Sequence, residues 1–192
     1  MKLEIKELSK SFGGTKVLDG INISLESGRI YCFMEPSGSG KTTFFKILLG
    51  IITKDSGTIT GLDGCNITAV FQEDRLCNDF TPIENVSMVM NGPSRNHKKA
   101  AKEELLNLLP KESLTRPVST LSGGMKRRVA IVRALSVPFD MVILDEPFSG
   151  LDEGNKNKVI SYMKVKCQGK LVLVSTHQQE DIDRLNGILI KL

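Results

Sequence analysis

Nine consecutive residues, Glu35-Pro36-Ser37-Gly38-Ser39-Gly40-Lys41-Thr42-Thr43, carry the densest chemistry in the chain. They follow the phosphate-binding pattern G-x-x-x-x-G-K-[ST] at every position except the first, where Glu35 replaces glycine. Backbone N–H groups bared by Gly38, Ser39 and Gly40 can wrap a polyphosphate, and the N-terminus of a following helix adds partial positive charge. Lys41 suits the β- and γ-phosphates. The Thr42 hydroxyl suits a magnesium ion whose shell is otherwise water and phosphate oxygen. Glu35 works against this: its carboxylate opposes phosphate by about 3 kcal/mol at ~6 Å and an effective dielectric near 20, and by under about 1 kcal/mol if turned into water.

Two further groups fit the same chemistry. Met141-Val142-Ile143-Leu144-Asp145-Glu146 reads as an apolar strand that delivers two acids at its C-terminal end, where open α/β sheets bind ligands. Asp145 suits magnesium, and Glu146 suits a general base that activates water. Leu121-Ser122-Gly123-Gly124-Met125 opens a helix with Ser122 as N-cap and two glycines that expose N–H groups, a second anion-binding turn.

Elements must place these residues. Strand-like alternation covers Lys2 to Leu8, Ile21 to Leu25, Arg29 to Phe33 and Gly57 to Thr60, with turns at Gly13-Gly14 and Ser27-Gly28. Ala69-Val70-Phe71, Met141 to Leu144, Lys170 to Ser175 and Gly187 to Lys191 read as further strands. Helical spacing begins at Thr42 and covers Pro82 to Met90, Asn96 to Leu109, Gly123 to Leu135 and Glu153 to Cys167. Continuous apolar strands between helices imply a parallel sheet covered on both faces. About 73–120 reads as an all-helical insertion in a single domain of 192 residues.

Composition narrows the function. The chain is 40% hydrophobic and 25% charged, ordinary for a globular protein. A net charge of +4 is small and dispersed, so no nucleic-acid partner is expected. His97-Lys98-Lys99 and Lys126-Arg127-Arg128 read as solvated helix faces. Cys32, Cys65, Cys77 and Cys167 form no C-x-x-C pair, which fits reduced thiols rather than zinc or disulfides, with Cys32 a small buried hydrophobe. No apolar run is long enough to span a membrane, so spanning would fall to another chain.

The phosphate loop, Gln72 after Ala69-Val70-Phe71, Leu121-Ser122-Gly123-Gly124, Leu144-Asp145-Glu146-Pro147, Ser149-Gly150-Leu151-Asp152 and Ser175-Thr176-His177 stand in one order across nearly the whole chain. In this the chain resembles the ATP-binding subunits of ABC transporters. The resemblance implies a P-loop NTPase core, mixed but mostly parallel, with an N-terminal antiparallel β region and an all-helical subdomain. It implies ATP and Mg²⁺ as ligands, with Pro36, Ser37, Gly38, Ser39, Gly40, Lys41, Thr42 and Thr43 around the phosphates. Phe12 would stack on adenine. Gln72 would touch magnesium or the attacking water and sense the permease, Asp152 would act across a subunit interface, and His177 would contact the γ-phosphate.

The same resemblance implies integral-membrane permease subunits and a second ATP-binding subunit as partners, a homodimer before a heterodimer, at the cytoplasmic face of the cell membrane. Val70-Phe71-Gln72-Glu73-Asp74-Arg75-Leu76 and Thr81-Pro82-Ile83-Glu84-Asn85-Val86 are similar to importers of nitrate, sulfonate and taurine. Met125 stands where glutamine is usual, with little loss expected because the anion-binding groups there are backbone. Two function classes stay open: an ATPase motor, favoured by Glu146 and His177, and a nucleotide-binding regulatory module or poorly hydrolysing half of an unequal pair, favoured by Glu35.

Overall fold

The computed structural model describes residues 1–34, 36, 38–91 and 96–192, so Glu35 and Ser37 lie outside the described residues. The chain forms two compact units. The first comprises Met1–Ile67, Phe139–Asp145 and Gly169–Leu192; the second comprises Thr68–Pro138 and Glu146–Gln168.

The first unit opens with an antiparallel sheet of β1 (Lys2–Phe12), β2 (Thr15–Glu26) and β4 (Ser56–Thr60), ordered β2-β1-β4. Both long strands exceed the expected spans, running to a two-residue turn at Gly13 and Gly14, where φ is 55° and 82°. Positive φ at both central residues matches the twist of a hairpin and calls for glycine. The longer strand hides its period because it is bulged. Leu3 and Ile5 point inward, then Glu7 takes φ of 50° and the register shifts, so that Leu8 is the next buried residue. Gly57 passes so close that a Cβ there would lie 2.4 Å from the Glu7 carbonyl oxygen.

The parallel strands of this unit are β3 (Ile30–Phe33), β6 (Met141–Asp145), β7 (Leu171–Ser175) and β8 (Ile188–Ile190), running β6-β7-β3-β8. Every residue of β6 and β7 is buried, which is why both read as unbroken apolar runs. The register sets Phe33 against Ser175 and Ser175 against Asp145, so three strands end at one level. From these ends α1 (Lys41–Leu48) and α6 (Gln179–Leu185) depart. Helix α6 is absent from the sequence expectation. Its seven residues bury only Ile182 and Leu185 as apolar side chains, too few to set a helical period. Cys32 is wholly buried, and burial pushes its thiol up to about 12.

The second unit holds most of β5 (Ile67–Val70), then α2 (Pro82–Ser87), α3 (His97–Leu106), 3-10 turns at Lys111–Ser113 and Val118–Thr120, α4 (Gly123–Leu135) and α5 (Glu153–Lys166). Between β5 and α4 the described residues contain helices and turns and no strand. Helix α2 starts at a capping box: the Thr81 hydroxyl accepts from Glu84 N, and the Glu84 carboxylate accepts from Thr81 N. Helix α3 stops three residues before the expected Leu109. The Asn107 amide donates to the Glu103 and Glu104 carbonyls and so satisfies the helix end itself. Asn85, fully buried, binds the Cys77 backbone through both its carbonyl oxygen and its amide.

Candidate nucleotide site

Gly40 is the N-cap of α1, with φ of 97°. A Cβ on it would lie 2.8 Å from both Leu18 Cδ2 and the Val17 carbonyl oxygen, so conformation and the close approach of β2 both require glycine here. Lys41, the first residue of α1, is only 7% exposed. Its ammonium lies across its own loop and donates to the Pro36 carbonyl at 3.0 Å and the Ser39 hydroxyl at 3.3 Å. Gly38 (φ 89°) and Ser39 complete the described part of the loop, with Ser39 N donating to Pro36 O. Thr43 is half-buried and Thr42 is exposed.

The Thr42 hydroxyl stands 3.4 Å from Asp145 Oδ2, while Asp145 Oδ1 accepts from the Ser175 hydroxyl at 2.5 Å. One carboxylate oxygen is thus anchored, and the other faces Thr42. The sequence reading did not include Ser175 as a partner of Asp145; its signal was its place one residue before Thr176-His177 at a strand end. Two hard oxygens, one neutral and one anionic, suit Mg²⁺, which takes one or two protein ligands and completes its octahedron with water and phosphate. No group of three or more acidic, histidine or cysteine side chains able to cage a metal occurs among the described residues. The pair of Thr42 and Asp145 fits an ion that a nucleotide brings with it.

His177 is exposed just past β7. Both its neighbours are fixed: Thr176 donates through Oγ1 to the buried Asp181 at 2.5 Å and accepts from Gln178 N at 3.2 Å. Phe12, at the tip of the first hairpin, is 47% exposed and has the Lys10 ammonium 5.2 Å from its ring centroid.

The second unit gathers the other expected residues. Ser122 caps α4 by accepting from Met125 N, so its helix-capping role does not depend on the Met125 side chain. Gly123 begins the helix. A Cβ on Gly124 would lie 2.8 Å from the Gly150 carbonyl oxygen, which makes glycine obligatory where the Ser149-Gly150-Leu151 turn packs. A cleft of about 570 Å³ opens here, lined among others by Ser122, Gly123, Gly124, Arg128 and Asp152. Asp152 caps α5, accepting from Asn155 N at 2.8 Å and from the Asn155 side-chain amide at 2.6 Å. Those bonds hold its carboxyl below the ordinary aspartate value. Gln72 is exposed two residues past β5, and Glu146 is half-buried with φ of 51°.

One expectation is overturned. Arg127 and Arg128 are not a solvated face but are 6% and 8% exposed. Their guanidinia donate mostly to backbone carbonyls. Arg128 donates to Gly124 O at 3.1 Å, to Leu108 O at 2.5 Å and to Asn155 Oδ1 at 2.8 Å. Arg127 donates to Phe71 O and Gln72 O. Charge count alone hides this, because a buried arginine and a surface one look alike in sequence.

Comparisons with known proteins accord with this arrangement. Residues 18–149 match the family model described as ABC transporter. The chain is 34% identical to the sulfate/thiosulfate import ATP-binding protein CysA of Pseudomonas aeruginosa, over 94% of this chain and 60% of that protein. It is 34% identical to the Nod factor export ATP-binding protein I of Paraburkholderia xenovorans, over 95% of this chain and 65% of that protein. The chain thus spans less than two thirds of the length of these relatives. Among solved structures it superimposes on the dimeric structure of MJ0796, a bacterial ABC transporter cassette, with a TM-score of 0.88 and 26% identity, over 99% of this chain and 94% of that one. A mixed α/β fold shared with those cassettes, and a family match over most of its length, place this chain in the ABC transporter family.

Proposed function

We propose that this chain is the ATP-binding and ATP-hydrolysing subunit of an ABC transporter, one cassette with 73–120 as its helical insertion. In this reading it works through separate permease subunits at the cytoplasmic face of a membrane. Among the described residues no helix is long and apolar enough to cross a bilayer. The observation that carries the reading is the meeting of Thr42, next to Lys41 in the first turn of α1, with Asp145 at the end of β6.

Lys41 exchanges two neutral acceptors for phosphate oxygens, a stronger charge-assisted pairing. Pro36, Gly38, Ser39, Gly40 and Thr43 line the phosphates, with Glu35 and Ser37 belonging to the same loop by sequence. Thr42, Asp145 and Gln72 would hold a magnesium ion, which would spread the developing negative charge. Glu146 accepts a proton from the water that attacks the γ-phosphorus. The bond from that phosphorus to the β-bridging oxygen breaks, and ADP leaves. His177 donates to the γ-phosphate, and Phe12 offers its ring to adenine. Ser122, Gly123, Gly124 and Asp152 serve the nucleotide held by a second copy, which makes the working unit a dimer.

Glu146→Gln tests this: turnover should fall at least ~100-fold with ATP retained, because the base is lost and its shape is kept. Undiminished phosphate release would reject the role of Glu146. Glu35 favours the second reading, a weakly hydrolysing half, and that reading predicts negligible release already in the unaltered protein. The finer assignment, to importers of nitrate, sulfonate and taurine, rests on the 70–76 and 81–86 segments alone. Relatives named for import and for export cover the same stretch, so uptake of a sulfonate by a reconstituted transporter is its test.

A further inference from the structure

After β5 the chain leaves the sheet at Phe71 and runs without regular structure to Leu76. Most of its carbonyls are nonetheless held by side chains. Arg127 donates through Nη1 to Phe71 O at 2.6 Å and through Nη2 to Gln72 O. Arg133 donates to Arg75 O at 2.9 Å and to Asp74 O at 3.1 Å. Arg127 also lies 3.2 Å from the Asp74 carboxylate. The Arg75 guanidinium stacks 3.7 Å over the Phe71 ring, closing the segment on itself. Four of five consecutive carbonyls are therefore held by two arginines, and both arginines stand on α4.

That helix is the one whose first residues are Gly123 and Gly124 and whose cap is Ser122. Arg127 is 6% exposed, and burying a guanidinium is costly unless its donors are satisfied. Its planar fork reaches two adjacent carbonyls at once, which the point charge of lysine cannot do.

We propose that Arg127, assisted by Arg133, is a positioning residue for Gln72: it fixes the main chain from which the Gln72 side chain projects and joins it to the helix bearing the Ser122-Gly123-Gly124 turn. The inference rests on the role of Gln72 given above. A displacement of the Gln72 segment then pulls on α4, so a partner pressing on one moves the other.

Two readouts separate this from a merely structural role. The first is the rate at which trypsin cuts after Arg75, which reports how often the segment opens. Arg127→Met should speed that cut at least ~10-fold, and Arg127→Lys by an intermediate factor because it retains only one contact. Gln72→Ala should leave it unchanged, since only the main chain is held. The second is ATP turnover in Arg127→Met, Gln72→Ala and the double variant. If Arg127 acts through Gln72, the double variant loses no more than Gln72→Ala alone; independent roles would multiply.

An unchanged cut after Arg75, or multiplying losses, overturns the proposal. Should Arg127→Met fail to fold, Arg127→Lys carries both measurements. Should Gln72→Ala hydrolyse ATP normally, the role of Gln72 is wrong, while the proteolysis still decides whether Arg127 fixes the segment.

Discussion

A methyl group on Gly40 has nowhere to go, since Leu18 and the Val17 carbonyl stand 2.8 Å from where it would sit. The backbone there is left-handed as well. Strain of this kind costs about 1–3 kcal/mol, or roughly 5- to 150-fold in affinity if it falls on the nucleotide loop. Gly40→Ala should therefore weaken ATP binding within that range while far-ultraviolet circular dichroism stays the same. Equal affinity by calorimetry would show that the loop relaxes without cost. At this scale the placement of the candidate residues was legible, because phosphate chemistry dictates residue types at fixed spacing: Lys41 and Thr42 open α1 and Asp145 closes β6, as their neighbours in sequence require. Ser175 and the two buried arginines were not, because each acts on a residue at least 20 positions away. A hydroxyl or guanidinium carries no mark of such a partner.

Elements were legible where their ends are chemically marked. Ser122 starts α4 and Thr81 with Pro82 starts α2 as the capping pattern requires. They were misjudged where no such mark shows in the period: the bulge at Glu7 breaks the alternation of β1, Asn107 ends α3 early, and α6 has too few apolar residues to be seen. The Thr81 cap allows a direct check. Thr81→Ala removes an acceptor from Glu84 N and should cost about 1 kcal/mol, a fall of roughly 2–4 °C in Tm for a chain of this size. An unchanged Tm would mean that the Asn85 contacts to Cys77 and Thr81 hold the start of α2 without its cap. Further along, Tyr162 on α5 donates to Glu104 on α3 at 2.8 Å, and burial with that bond raises the phenol well above its ordinary value. The phenol therefore stays protonated and the α3–α5 link persists at any physiological pH.

At the scale of the whole molecule, the chain carries one Lys41 loop and one Ser122 turn, and each is half of what a bound nucleotide needs in the proposed account. The missing half must come from a second copy or an unlike partner. Nucleotide then acts as the electrostatic glue of the assembly, since its phosphates lie between two sets of N–H donors. Hydrolysis would remove the glue, so the assembly should accumulate only where the Glu146 carboxylate is replaced. Light scattering on Glu146→Gln at micromolar protein tests the account most directly. With a second copy as the partner, the account predicts a monomer mass without nucleotide, a doubled mass at saturating Mg-ATP, and no doubling with ADP; a monomer that persists at saturating Mg-ATP would contradict the homodimer and point to an unlike partner.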